Sequence, residues 1–192
     1  MGERGESGQP ALNRAVFLDR DGVITRAYVR DGKPFAPTTL EQFQLLPGVV
    51  NAIAALKNAG FRVIVVTNQP DVGAGIVARE VVEAMNARIR QECRVDDVRV
   101  CYHTEADGCA CRKPRPGLLV DAARDWSVDL RRSYMVGDRW RDIGAGLAAG
   151  CRTVWIDCHY AETNAENPDI VVKSLAEASQ RILSEVKHAG TQ

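Results

Sequence analysis

Long apolar runs are missing from this 192-residue chain. Its apolar stretches are strand-length, far short of the roughly 20 residues a membrane span requires. An excess of one charge is missing too. Lys plus Arg and Asp plus Glu number 25 each, so no global basic field exists to hold nucleic acid. Residues 1–13 are polar and glycine-rich and carry no apolar signal core. They are expected to be a disordered lead-in, with one folded domain over 14–188. No internal repeat or low-complexity block is present. These absences point to a monomer in the cytoplasm that meets a small soluble partner, with no nucleic acid and no membrane involved.

Six cysteines are present. Cys101, Cys109 and Cys111 fall within eleven residues, with His103 between them. Without a secretion signal, such clustering reads as metal binding rather than a disulfide framework. Three thiolates and one imidazole make a closed tetrahedral zinc site, with no open position for substrate. Zinc there would fix a loop that runs directly into Arg112 and Lys113. Cys93, Cys151 and Cys158 are expected to be ordinary buried or half-buried thiols. His159 and His188 are expected at the surface.

Strand-like runs alternate with helical patterns. Strands are predicted at Ala15–Leu18, Arg62–Thr67, Val98–Tyr102, Ser133–Val136, Arg152–Ile156 and Ile170–Val172. Helices are predicted at Gly48–Ala59, Ala78–Glu92, Pro116–Trp126, Asp142–Ala149 and Ser174–Lys187. The run Val63-Ile64-Val65-Val66 suits a parallel strand covered on both faces. Gly60 and Gly150 are placed to end two helices. This alternation predicts an α/β fold with a doubly wound parallel sheet. The stretch Thr25–Leu46 reads as one long irregular loop. No interval leaves room for a separate lid domain, so loops alone should cap the site.

Four segments carry the chemistry, each expected at the carboxyl edge of the sheet, where such folds bind ligands. They are Asp19-Arg20-Asp21-Gly22, Val66-Thr67-Asn68-Gln69, Arg112-Lys113-Pro114 and Gly137-Asp138-Arg139-Trp140-Arg141-Asp142. Two carboxylates one residue apart repel unless a cation or a shared proton separates their roles. Together the segments supply what phosphoryl transfer requires, namely in-line positioning and charge neutralisation. Asp19 can attack phosphorus. Asp21 can protonate the leaving oxygen and then deprotonate water. Mg2+ suits a carboxylate cluster, with Asp19, Asp21 and Asp138 as ligands and Asp142 orienting metal-bound water. Thr67 and Lys113 would hold the phosphoryl oxygens.

On these motifs the chain, over about Ala15 to Ile156, resembles the haloacid dehalogenase superfamily of aspartate-nucleophile phosphatases. The run Cys101-Tyr102-His103 to Cys109-Ala110-Cys111-Arg112-Lys113-Pro114 is similar to a narrower group within it. That group includes heptose 1,7-bisphosphate phosphatases and histidinol-phosphate phosphatases, which lack a large cap and carry a structural zinc loop. The resemblance implies a phosphomonoesterase acting on a small phosphorylated metabolite through an aspartyl-phosphate. The run Arg112–Gly117 leans toward the heptose enzymes, which would make the chain a heptose 1,7-bisphosphate 7-phosphatase. It implies substrate contacts from Tyr28, Arg30, Asn68, Gln69, Arg112 and Arg139. Two departures fall at the expected substrate mouth. Pro70-Asp71 stands where Ser-Gly is usual in the heptose group, and Arg139 replaces a common lysine. A reading from another class is a receiver-type signalling domain, which also sets acids, Thr and Lys on a doubly wound sheet. Receivers place the phosphorylated Asp after a later strand and need no Cys3His loop.

Overall fold

A computed structural model describes residues 12–189, with side chains to Lys187. The expectations for residues 1–11 and for the His188 side chain lie outside the described residues. In chain order the elements are strands β1 (Arg14–Leu18), β2 (Tyr28–Arg30) and β3 (Lys33–Phe35), helix α1 (Val49–Asn58), strand β4 (Phe61–Asn68), and helices α2 (Pro70–Gly73) and α3 (Arg79–Cys93). Then follow β5 (Asp97–Cys101), α4 (Gly117–Asp125), β6 (Tyr134–Gly137), α5 (Trp140–Ala149), β7 (Arg152–Ile156), β8 (Ile170–Val172) and α6 (Leu175–Ala189). Every strand and helix expected from periodicity is present, with ends shifted by no more than two residues. Gly60 and Gly150 take left-handed φ values of 85° and 79° after α1 and α5, as expected of helix-ending glycines.

The main sheet has six parallel strands in the order β5-β4-β1-β6-β7-β8. From β1 the chain winds outward through β4 to β5, then returns to the other side of β1 at β6. The winding direction reverses between β1 and β6, which opens a crevice at their carboxyl ends. Register places Phe17 between Ile64 and Met135. Alternate side chains of one strand point to opposite faces. Val16, Leu18, Val63 and Val65 therefore face α1, α3 and α6, where Ile53, Leu56, Met85, Ile89 and Ile182 cover them. Ala15, Phe17, Ile64 and Val66 face α4 and α5, with Leu119, Ala122 and Ala145 against them. Full burial of each large aliphatic or aromatic side chain contributes about 1.5–3 kcal/mol. The chemistry thus sits on the edge of a double-faced core.

The stretch Thr25–Leu46, expected to be irregular, is partly ordered. β2 and β3 form an antiparallel hairpin, and a short 3-10 turn follows at Leu40–Gln42. Asp31 and Gly32 both have positive φ, 49° and 73°. Two such residues make the turn whose twist matches a two-residue hairpin. The fold also reaches back to Asn13, whose backbone N–H donates to the Ser127 carbonyl (2.8 Å) and whose amide donates to Trp126 O (2.8 Å).

Helix α5 lies close against the sheet at Gly146. A Cβ there would sit 2.7 Å from Met135 Cβ and 2.8 Å from Thr153 Cγ2. Helix propensity alone favours Ala over Gly by about 1 kcal/mol, yet overpacking costs about 1–3 kcal/mol. We predict that Gly146→Ala lowers stability, measured by urea unfolding. A net gain would show that α5 can lift from the sheet at little cost.

Candidate active site

Asp19 follows β1 directly, and its N–H donates to Val136 O across the β1–β6 pair (3.0 Å). The next acid along the chain borders the same cavity but is held by different partners. Arg20 is fully buried, and its guanidinium pairs with Asp21 (Nη2–Oδ2 3.0 Å) and Asn86 Oδ1 (3.2 Å). The Asp21 carboxylate also accepts from Thr25 Oγ1 (2.9 Å) and Gln69 Nε2 (2.7 Å). The two neighbouring acids are therefore separated by their surroundings. Asp21 is compensated by a buried cation and two neutral donors. Asp19 is pushed up to about 6 by burial and by the Asp142 charge, against the opposing pull of Lys113.

Lys113 is the counter-charge. Its ammonium, 2% exposed, donates to Asp19 Oδ1 (2.8 Å) and Val66 O (2.7 Å) and pairs with Asp142 Oδ1 (2.6 Å). Three protons meet three acceptors. Burial works against the charged form, but the Asp142 and Asp19 carboxylates outweigh it and raise the lysine. Asn68, at the end of β4, grips the lysine backbone from both sides: its amide donates to Lys113 O, and its carbonyl accepts from Lys113 N, each at 3.1 Å. Thr67 is buried beside it, its hydroxyl accepting from Gln69 Nε2 (2.9 Å).

Asp138 ends β6 and Asp142 lies in the first turn of α5. The Asp142 carboxylate accepts the Arg139 backbone N–H (3.0 Å). Ligand oxygens of Asp19, Asp138 and Asp142 all lie within 4.8 Å of one another. Asp138 is 3% exposed, and neither of its oxygens has a well-aligned donor. Burial, then the Asp19 and Asp142 charges, raise it well above the ordinary carboxylate range, and the nearby Tyr160 hydroxyl relieves this only in part. Gly22 permits the crowding. Its φ is 91°, and a Cβ there would fall 1.9 Å from Asp138 Oδ2. Three buried carboxylates against one ammonium, with two orphaned oxygens and an all-oxygen donor set, fit a hard divalent cation.

The structure revises the expected ligand set. Asp142, expected one step removed from the metal, belongs to the cluster. The Asp21 carboxylate, expected to be a ligand, is outside it, because Arg20, Thr25 and Gln69 hold it.

The second cluster forms as expected. Cys101 ends β5, and His103, Cys109 and Cys111 gather about it. Sγ–Sγ separations are 3.0, 3.4 and 3.6 Å, and His103 Nδ1 lies 3.3 Å from Cys111 Sγ. A tetrahedron with metal–sulfur bonds of about 2.3 Å has edges of about 3.8 Å, so a small relaxation accommodates zinc. All six cysteines are free thiols. Burial raises the Cys109 thiol, but donation from Cys111 and from the Arg112 backbone outweighs it and lowers it to about 7, which favours a thiolate ligand. Cys93 and Cys151 are buried and Cys158 is half-buried, and His159 is exposed.

A cavity of about 300 Å³ opens over Asp19, Asp21, Thr67 and Lys113. Of the six residues expected to touch substrate, it is lined by Asn68 and Arg139 only, and Asn68 is already engaged with Lys113. Tyr28 donates to Gln42 O (2.8 Å), and Arg30 stacks on Phe35 at 5.6 Å. Gln69 is buried and bonded to Asp21 and Thr67. Arg112 turns onto the Cys101–Cys111 loop, meeting Glu105 and His103 O at 3.2 Å each. None of these four lines the cavity. Its walls instead include Lys33, Pro34, Phe35, Asp71, Arg141 and Glu162. The Asp31-Gly32 turn was the available signal for the first three, since it brings a hairpin beside the site. Glu162 had no signal; its two carboxylate oxygens accept from Arg139 Nε and Nη2 (2.9 and 2.5 Å).

Comparison with known proteins gives the family. A family model described as HAD-hydrolase-like matches residues 110–178. The D-glycero-β-D-manno-heptose-1,7-bisphosphate 7-phosphatase of Pseudomonas putida is 37% identical over 161 residues, covering 80% of this chain and 87% of its own. The enzyme of that name from Rhodopseudomonas palustris is 38% identical, covering 71% and 79%. In structure, the D,D-heptose 1,7-bisphosphate phosphatase of Bordetella bronchiseptica, solved with magnesium and phosphate, superimposes with a TM-score of 0.78 at 31% identity, covering 90% of this chain and 99% of that one. A HAD-like phosphatase from Mesorhizobium loti gives 0.73 at 31% identity, covering 95% and 90%. The chain belongs to the haloacid dehalogenase-like hydrolases, among the relatives of the heptose bisphosphate phosphatases.

The unpaired Asp138 carboxylate makes a prediction for the protein stripped of divalent metal. Burial lifts Asp19 from 3.8 to about 6 and Asp138 in the same direction. The folded state then holds protons that the unfolded chain has released, so stability falls as pH rises from about 4 through 6. Asp138→Asn should raise the metal-free Tm at pH 8 by about 2–4 °C, corresponding to about 1 kcal/mol. It should also abolish the Tm rise produced by millimolar Mg2+ in the wild type. Thermal melts with and without Mg2+ check both, and an unchanged Mg2+ response would remove Asp138 from the metal site.

Proposed function

We propose that this chain is a Mg2+-dependent phosphomonoesterase that removes the 7-phosphate of D-glycero-D-manno-heptose 1,7-bisphosphate through an aspartyl-phosphate. One observation carries the chemistry: Asp19, Asp142 and the Lys113 ammonium line a cavity at the switch point of the sheet, with the Asp138 carboxylate buried beside them. The named relatives carry the choice of sugar. In this reading residues 14–188 form the single phosphatase domain. It works as a monomer on a small soluble metabolite in the cytoplasm, where thiols stay reduced.

Asp19 is the nucleophile. One of its carboxylate oxygens bonds to phosphorus as the phosphorus–oxygen bond to the sugar breaks. Asp21 opens onto the same cavity and gives a proton to the leaving sugar oxygen. It then takes a proton from the water that attacks the aspartyl-phosphate, which returns Asp19 and releases inorganic phosphate. Lys113 and Thr67 hold the phosphoryl oxygens, and Lys113 balances the charge that Asp19 and phosphate bring together. Gln69 keeps Asp21 beside Thr67, and Asn68 keeps Lys113 in place. Asp19, Asp138 and Asp142 would hold Mg2+, which when bound offsets the negative charge on the phosphoryl group. Cys101, His103, Cys109 and Cys111 would hold zinc, which has a structural part: it fixes the loop that feeds Lys113 into the site.

Two measurements test this reading. Asp19→Asn should cut turnover by about 10³-fold or more, because an amide cannot form the phosphoenzyme. A screen with Mg2+ should show at least tenfold higher kcat/KM for heptose 1,7-bisphosphate than for histidinol phosphate or sugar monophosphates, about 1.4 kcal/mol. Equal turnover of histidinol phosphate would move the substrate and leave the chemistry unchanged. A phosphoenzyme lasting hours would point to signalling instead.

For zinc, elemental analysis of reduced protein should find one equivalent per chain. Cys109→Ser should lower that content and weaken inhibition by inorganic phosphate. Zinc-free protein with full activity would refute the structural assignment.

A further inference from the structure

The cations lining the cavity are not equally available. Lys113 is spent on Asp19, Asp142 and Val66 O. Arg139 is paired with Glu162, itself a lining residue, through Nε and Nη2. That leaves Lys33 and Arg141. Lys33 is exposed on the hairpin and forms no ion pair or side-chain hydrogen bond among the described residues. Arg141 is different in kind. Its guanidinium lies 5.0 Å over the Trp140 ring, which holds the plane. Its Nε is buried and has no hydrogen-bond partner. Among the described residues its one acid partner is Glu105, through Nη1 at 3.2 Å. Glu105 is 74% exposed and is shared with Arg112. One solvated carboxylate thus serves two guanidinium groups, and an exposed pair of this kind is worth about 0–1 kcal/mol.

A planar, preorientated guanidinium with an unfilled buried donor, set in the wall of a phosphate-handling cavity, is suited to an oxyanion with more than one acceptor. We infer that Arg141 is a specificity-determining residue that binds the phosphate of the substrate that is not hydrolysed, with Lys33 adding charge from the hairpin. The inference rests on the phosphatase reading above and extends it. The reacting phosphate lies at Asp19 and Lys113, where no free cation remains. A second phosphate on the same sugar reaches the cavity wall. When it binds, Arg141 exchanges a weak contact with Glu105 for a charge-assisted one in a partly enclosed site. A monophosphate has nothing to place there, so Arg141 separates two-phosphate from one-phosphate substrates.

The test compares kcat/KM for heptose 1,7-bisphosphate and heptose 7-phosphate in the wild type, Arg141→Gln and Glu105→Gln. Arg141→Gln should lower the bisphosphate value about tenfold, equivalent to about 1.4 kcal/mol, and leave the monophosphate value within twofold. Glu105→Gln frees the guanidinium and should keep or raise the preference. Equal losses on both substrates in Arg141→Gln, or no loss on either, overturn the inference. So does a collapse of the preference in Glu105→Gln, since Arg141 would then act only through its clasp to the zinc loop. A wild type that hydrolyses p-nitrophenyl phosphate but does not favour the heptose bisphosphate overturns the choice of sugar alone. Arg141 is then judged by competition against p-nitrophenyl phosphate. The inhibition constant of fructose 1,6-bisphosphate should rise about tenfold in Arg141→Gln, and that of fructose 6-phosphate should not. Unchanged constants for both would end the inference.

Discussion

Everything at this site depends on one buried ammonium. Asp19, Asp138 and Asp142 converge in a space from which water is largely excluded, and carboxylates so placed repel one another strongly. Lys113 Nζ meets two of them and a main-chain carbonyl, so each of its protons has an acceptor. A cation with unused donors would add a desolvation cost of its own. The position is also enforced from outside. Asn68 clasps the lysine backbone on one side. On the other, the Cys101–Cys111 loop folds back on itself, and Arg115 Nη1 donates to Cys109 O (2.5 Å). The thiol–imidazole cluster therefore lies at the loop that leads directly into Lys113.

Lys113 leaves the balance incomplete, and the incompleteness is functional. One ammonium cannot neutralise three carboxylates, and Asp138 receives no well-aligned donor. Native proteins leave few buried polar atoms unpaired, and those that persist mark strain reservoirs or missing ions. A divalent cation supplies what the side chains withhold. Beyond the Lys113 pairings, burial and mutual charge raise Asp19 and Asp138 and so favour protons on them. Crowded, unpaired carboxylates of this kind cost stability and suit a cation at the same time.

The sheet and its acids were legible in the sequence because both follow from short-range rules. Apolar runs of strand length, ended by Asp19, Thr67 and Asp138, could only be strands emerging from a core. The Cys-x-His and Cys-x-Cys spacing likewise placed four ligands together. What the sequence did not convey is which way a side chain turns once it reaches the sheet edge. Asp21 and Asp142 are both acids near that edge, yet Arg20 draws one away and α5 points the other inward. Gln69 and Arg112 stand beside the cavity-lining Asn68 and Lys113, but each spends its donors on a neighbour, Gln69 on Asp21 and Arg112 on Glu105 and His103 O. Tyr28 and Arg30 fall on a hairpin whose other strand presents Lys33, Pro34 and Phe35 to the cavity. Neighbourhood in sequence predicted neighbourhood in space, and hydrogen-bond competition decided the rest.

That competition also separates the residues held at strand ends from those that form the cavity walls. Asp19, Thr67 and Asp138 are fixed by strand ends, and β1, β4 and β6 are joined by paired backbone. The walls come from segments outside the sheet. The hairpin tip and the segment after β7 are tied to each other, with the Ala161 N–H donating to Gly32 O (2.8 Å), and Glu162 from the same segment holds Arg139. Such loops can change length and charge without disturbing a strand. Pro70-Asp71, Arg139 and Arg141 are residues of this second kind, set on the first turns after β4 and β6. Substitution there can alter which sugar is held while Asp19 and Lys113 keep their geometry. A fold that places its nucleophile on a rigid edge and its selectivity on detachable walls can therefore keep one reaction through large changes of substrate.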